Sequence, residues 1–153
     1  LKDETPRLLA LRLARAKAQT VAARRPGAFV LAADTVVAVG RRVLPKAETE
    51  DQARACLALL SGRGHWVGTA VAVAAPDGRM AARLVETKVQ FKRLSPGELA
   101  AYLADGDWRG KAGGYAAQGA AGAFIITLRG SYSAVVGLPL YETRCLLDGL
   151  GFR

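Results

Sequence analysis

At 153 residues and 51% hydrophobic content the chain is the size of one compact domain with a real core, and it has neither a long apolar run nor a signal-like leader, which excludes a helical membrane span and export and predicts a cytoplasmic protein. A single histidine and two cysteines, Cys56 and Cys145, without metal or redox spacing exclude a histidine-based metal cluster and leave carboxylate chemistry as the natural alternative. The net charge of +9 admits nucleic acid, an anionic membrane or a polyphosphate substrate without choosing among them, because the basic residues are spread along the chain and 16 of them are arginine.

Thr5-Pro6 reads as an N-cap with proline in the first turn, and the glycine-free stretch to about Arg25 as a long helix. Leu9, Leu13, Ala16 and Thr20 are expected to share its apolar face, and Arg12, Arg15 and Gln19 another. At about 100° per residue Lys17 falls near the apolar side, unlike the arginines. Ala28 to Ala33 is an apolar run ending in Asp34, and Thr35 to Val39 reads as a second strand closed by Gly40. Thr49-Glu50-Asp51-Gln52 is a capping box opening a helix that stops at Gly62. Trp66 to Ala74 and Arg83 to Leu94 flank the Pro76-Asp77-Gly78 turn as a long antiparallel hairpin. Ser95-Pro96-Gly97-Glu98 opens a short helix ending near Asp105-Gly106. A glycine-rich stretch from Gly110 to Gly119 follows, then the apolar run Ala123 to Leu128, and a last helix is predicted from about Leu138 to Leu150. The order is mixed α/β in a single domain, with no repeat or linker.

Several residues invite chemistry. Asp34, read at the carboxyl end of a buried strand, could hold a divalent cation or orient a water, and a capping aspartate is an equal reading. Lys46, in a proline-punctuated loop, could neutralise a phosphate, although an isolated loop lysine is more often simply solvated. Lys17 fares better on its apolar-side placement, although lysines snorkel there. Lys111 and Gln118 sit in the glycine-rich stretch, whose backbone N–H groups could face phosphate oxygens. That stretch is not a P-loop, because its Gly-Lys is followed by Ala. Gln118 offers a donor and an acceptor, suited to a pyrimidine edge with a carbonyl and an imide N–H, or else bonds its own backbone. His65 is read as structural, since no second histidine completes a site.

Taken in order, Leu13-Ala14 through Lys17-Ala18, Ala33-Asp34-Thr35, the segment at Lys46, Leu60-Ser61-Gly62 through His65, Lys111-Ala112-Gly113 through Tyr115 and Gln118-Gly119, and Gly130-Ser131-Tyr132 through Pro139 resemble the Maf-like nucleoside triphosphate pyrophosphatases over nearly the whole chain. The resemblance implies a mixed, elongated, twisted sheet with helices flanking a central cleft. It also implies hydrolysis of a nucleoside triphosphate to the monophosphate and pyrophosphate. By carry-over Asp34 is the catalytic carboxylate and the protein's metal contact, Thr35 and Gln118 govern base selection, and Lys17, Lys46 and Lys111 face the polyphosphate. A divalent cation, magnesium before manganese, bridges the phosphates. The Lys-Ala-Gly-Gly-Tyr…Gln-Gly form resembles the branch acting on dTTP and UTP, with a homodimer as the oligomer to test and no membrane partner. Gly110 stands where that branch often has an aspartate, and Ala117 where it usually has a larger aliphatic residue. The family's Ser-x-Ser-Pro-Arg-Arg motif is absent, and Asp3-Glu4 lies too close to Lys17 to be its acidic pair. The expectation is therefore an N-terminally incomplete domain with impaired turnover. The competing expectation is a non-catalytic nucleic-acid or regulatory partner-binding protein on the same fold, motivated by the charge of +9.

Overall fold

The computed structural model describes residues 2–153. Helix α1 (Pro6–Arg24) begins as the sequence predicts, with the Thr5 hydroxyl accepting from the Leu8 N–H and proline in the first turn. Strands β1 (Val30–Val39) and β2 (Arg42–Leu44) follow, then helix α2 (Glu50–Leu60), whose Thr49–Gln52 capping box forms in full. The long hairpin is β3 (Gly64–Ala74) and β4 (Met80–Phe91), closed around Gly78 at φ +93°. Helix α3 (Pro96–Asp105) has its own capping box and ends on Gly106 in the left-handed region. The expected apolar run after the glycine-rich stretch divides into a 3-10 turn (Ala120–Phe124) and strand β5 (Ile125–Arg129). Two helices close the chain, α4 (Tyr132–Val136), which the sequence reading did not separate, and α5 (Leu140–Gly149).

The strands form one sheet in the order β2-β1-β3-β4-β5, and every neighbouring pair in it is antiparallel. This is the mixed α/β architecture expected, with helices on both faces. No helix among the described residues is long and apolar enough to cross a membrane.

Two sequence expectations need correction. The expected apolar face of α1, Leu9, Leu13, Ala16 and Thr20, gives way to the stripe Ala10, Ala14 and Ala18, all fully buried against Val30, Val36, Ala70, Ala72 and Ala74, with Leu9 packed at its side and only partly buried. Small side chains win that face because the helix lies close on a sheet that itself presents mostly alanine, and larger residues there would hold the two apart. Ala16 and Thr20 are exposed. The second correction concerns the strand around Asp34. Residues Val30–Val39 form a single continuous strand, so Asp34 lies mid-strand, paired with Ala70 of β3, and not at a carboxyl end. The β-branched residues that follow Asp34 favour extension, and a neighbouring strand on one side supplies the backbone hydrogen bonds that keep the strand whole.

A second core lies on the other sheet face. Val37, Val67, Val89 and Phe91 pack there with Leu57 and Leu60 of α2, Tyr102 and Leu103 of α3, and the aromatic rings of Trp108, Tyr115 and Phe124. Cys56 belongs to this core, unpaired, and burial pushes its thiol up, as suits an inert reduced core thiol.

Candidate active site

Strand alternation puts Asp34 on the α1 face of the sheet and Thr35 on the opposite face. Both nevertheless border one cleft, because β2 pairs only with Val37–Val39, and among the described residues the edge of β1 from Val30 to Val36 on that side carries no neighbouring strand. The cleft, of about 210 Å³, wraps this open edge. It gathers Lys17, Asp34, Thr35, Lys46, Lys111 and Gln118, so all six residues singled out in the sequence meet in one place.

Asp34 is 7% exposed. Its Oδ1 accepts from Lys17 Nζ at 2.5 Å, which fixes the direction in which the long lysine side chain leaves α1. A carboxylate in a nearly dry position needs such a partner, since an isolated buried charge is strongly disfavoured. The Lys17 side chain is half exposed, so its ammonium can face both the carboxylate and an anion in the cleft. Asp34 is the one carboxylate among the lining residues, set against three lysines.

Lys46 and Lys111 are brought side by side by backbone pairing. The segment after β2 and the glycine-rich segment are laced by Ala47 N–H to Lys111 O, Gly110 N–H to Ala47 O, and Gly113 N–H to Pro45 O. The glycines serve that lacing. Gly113 has φ +68°, and a Cβ there would come within 3.0 Å of Val37. Tyr102 donates its hydroxyl to Gly114 O from below at 2.8 Å, and His65 Nε2 shares a 2.6 Å hydrogen bond with the Tyr115 hydroxyl.

This lacing narrows one expectation. The N–H groups of Gly110, Lys111, Gly113 and Gly114 all bond within the chain, to Ala47, Trp108, Pro45 and Lys111 carbonyls, so these four do not face a phosphate. The expectation of phosphate-facing N–H groups is thereby limited to the remaining donors of the stretch, among them those of Ala112, Tyr115, Ala116 and Gln118, which line the cleft. Gln118 is exposed at the rim and makes no hydrogen bond to another described residue, so the alternative in which it bonds its own backbone is not what forms. Glu4 is held by Arg12, outside the cleft, and that guanidinium lowers its carboxyl to about 2.

Sequence reasoning missed the second layer. Thr69, fully buried on β3, lies opposite Thr35 and hydrogen-bonds to it at 2.9 Å, and Val135 and Val136 of α4 close the apolar side of the cleft. The signal available was the single polar residue in the otherwise apolar run Val67 to Ala74.

With this geometry in place, the comparisons are direct. The family model described as Maf-like protein matches residues 1–150. A protein of Caulobacter vibrioides named dTTP/UTP pyrophosphatase is 70% identical over 153 residues, covering 100% of this chain and 79% of its own length. Similarly named proteins of Maricaulis maris and Paramagnetospirillum magneticum are 63% and 62% identical, with 99% of this chain and 73% and 80% of their own lengths covered.

Proposed function

The chain belongs to the Maf-like family, and from that premise we propose that it is a cytoplasmic nucleoside triphosphate pyrophosphatase taking dTTP and UTP to the monophosphate and pyrophosphate. The observation that carries the reading is the cleft itself, in which one buried carboxylate faces three ammonium groups. Such a site attracts a polyphosphate and offers a single base.

In this reading Asp34 accepts the proton of a water that attacks the α-phosphorus. The bond from that phosphorus to the oxygen bridging toward the β-phosphorus breaks, and pyrophosphate leaves with that oxygen. Lys17 holds Oδ1 and so orients the carboxylate with Oδ2 toward the water. Lys46 and Lys111 take the charge of the β- and γ-phosphates as point charges. Thr35 and Gln118 meet the edge of the pyrimidine, and the valines of the cleft take its apolar faces.

A divalent cation, magnesium or manganese, fits this donor set. No three His, Cys, Asp or Glu side chains converge among the described residues, and magnesium is commonly held by one or two carboxylates together with substrate phosphates. Asp34 and the phosphate oxygens would hold it. Bound there, it supplies charge neutralisation for the departing pyrophosphate.

The test is pyrophosphate release over a panel of nucleoside triphosphates. It would use this chain and, beside it, the chain carried on the flanking residues of the Caulobacter vibrioides relative. Release from dTTP and UTP is expected, abolished by chelation, restored by magnesium or manganese, and lowered by about 10²–10⁴-fold in Asp34→Asn. The reading fails if neither version hydrolyses any nucleotide, or if Asp34→Asn leaves the rate unchanged.

A further inference from the structure

The hydrogen bonds behind Thr35 have a fixed polarity. Thr69 is fully buried and directly opposite Thr35 in the β1–β3 register. Its hydroxyl donates to the Ala134 carbonyl at 2.6 Å. That carbonyl is available because α4 stops at once: the N–H groups of Gly137 and Leu138 both go to Ser133 O, so Leu138 does not close the usual helical bond to Ala134. A carbonyl can only accept, and a threonine hydroxyl carries one proton. The Thr69 proton is therefore committed to Ala134. In the 2.9 Å contact between the two hydroxyls Thr35 must then be the donor and Thr69 the acceptor. Thr35 has no second proton to give, and what its oxygen turns toward the cleft is lone pairs alone.

We propose that Thr69, acting through Thr35, is a specificity-determining positioning residue that makes the cleft select pyrimidines bearing an imide N–H, uracil and thymine, against cytosine. Uracil and thymine carry a proton on N3, which the Thr35 oxygen can accept. Cytosine presents a bare acceptor at N3, and two acceptors facing each other with water excluded leave both unsatisfied. A free threonine rotor would not discriminate, since it could turn to donate to cytosine or accept from uracil. The buried Thr69–Ala134 bond removes that freedom. This inference rests on the reading above that places the pyrimidine edge at Thr35.

Binding of the product-like monophosphates UMP and CMP, measured by calorimetry, reads the polarity without turnover, and kcat/KM for UTP against CTP reads it with turnover. The chain should prefer UMP over CMP by about tenfold, the worth of one hydrogen bond made or forfeited. Thr69→Val, which cannot accept from Thr35, should bring that ratio to within about threefold, with CMP binding improved in absolute terms, while Thr69→Ser should keep it. If Thr69→Val does not fold, Thr69→Cys, a poorer acceptor, should give an intermediate ratio. The proposal is overturned if the unmutated chain binds UMP and CMP equally. It is overturned equally if Thr69→Val, or Thr69→Cys in its place, weakens both nucleotides by the same factor, the signature of a purely structural residue. A chain that hydrolyses nothing yet shows the Thr69-dependent preference would sink the catalytic reading and leave this one standing.

Discussion

Mild acid should destabilise this protein through one side chain, His65. The ring is 4% exposed, packed edge-on against Phe91 and Tyr115, and its Nδ1 has no hydrogen-bond partner among the described residues. Burial lowers its pKa from 6.5 to about 4. The sign follows directly. Between those two values the unfolded chain binds a proton at this site and the folded chain does not, so stability is full above 6.5 and is lost as the pH falls toward 4. By pH 4.5 the loss amounts to about 2.5 kcal/mol, at about 1.4 kcal/mol per pH unit. That is a large share of the roughly 5–15 kcal/mol typical of a folded domain. Because His65 is the only histidine in the sequence, the window can be assigned to it alone, with the lowered carboxyls of Glu4, Asp77 and Glu98 acting at lower pH. Urea unfolding followed by circular dichroism at half-unit steps from pH 7.5 to 4.5 measures the slope. His65→Gln, which keeps a polar partner for Tyr115 and cannot titrate, should flatten it. A chain equally stable at pH 7 and 4.5, or a variant that keeps the slope, would refute the reasoning.

Lys17→Met leaves the Asp34 carboxylate without its ammonium and removes one cation from the polyphosphate path. We expect KM for UTP to rise about tenfold and the melting temperature to fall, because the nearly buried Asp34 carboxylate is left without its partner. Gly113→Ala forces a Cβ onto a backbone at φ +68° and against Val37, whereas Gly110→Ala at φ +69° meets open space. The first should cost about 1–3 kcal/mol more than the second in chemical unfolding. Raising sodium chloride from 50 to 500 mM should raise KM for every triphosphate by a common factor and leave the UTP:CTP ratio unchanged, because screening acts on the lysines and not on a buried hydroxyl pair.

How much of this was legible beforehand depended on the range of the interactions involved. Helix starts were readable because a cap is a local bond: Thr5, Thr49 and Ser95 each bond an N–H three residues on, and all three appear as expected. The six cleft residues were readable as candidates from their types and surroundings, together with the ordered motifs that resemble one family. Their convergence was expected from that resemblance alone and not from the residues themselves, since it depends on how far β2 runs along β1. Asp34 was read at a strand end because a charge after an apolar run imitates one, whereas the backbone continued through it on the pairing of Val30–Ala38 with β3. The face of α1 was misjudged for a related reason. Periodicity ranks residues by hydrophobicity, while a helix lying on an alanine-rich sheet selects for size, and Ala10, Ala14 and Ala18 win over leucine. Thr69 stands out in its run as the one polar residue, but its pairing with Thr35 could not be read without knowing which residue lies across the sheet.

The site divides its labour between a stiff part and a soft part, and the division explains why the glycine-rich segment is built as it is. A nest of peptide N–H groups would have imposed one phosphate geometry, and the backbone here commits four of those donors within the chain, Gly110 and Gly113 to the segment after β2 and Lys111 and Gly114 to the nearby carbonyls of Trp108 and Lys111. In the proposed reading phosphate binding falls to Lys46 and Lys111, both exposed, whose flexible stems can follow a polyphosphate chain through the changes of geometry that accompany cleavage. Such tolerance is affordable for phosphates, which every nucleoside triphosphate shares. The base differs between substrates, and in the same reading it meets Thr35, whose hydroxyl is held from behind by a residue with no exposure at all. Packing fixes Thr69, the early end of α4 frees the Ala134 carbonyl, and neither touches the reacting atoms. Discrimination is thereby built into the core, where side chains cannot turn, and charge neutralisation is left to the surface, where they can.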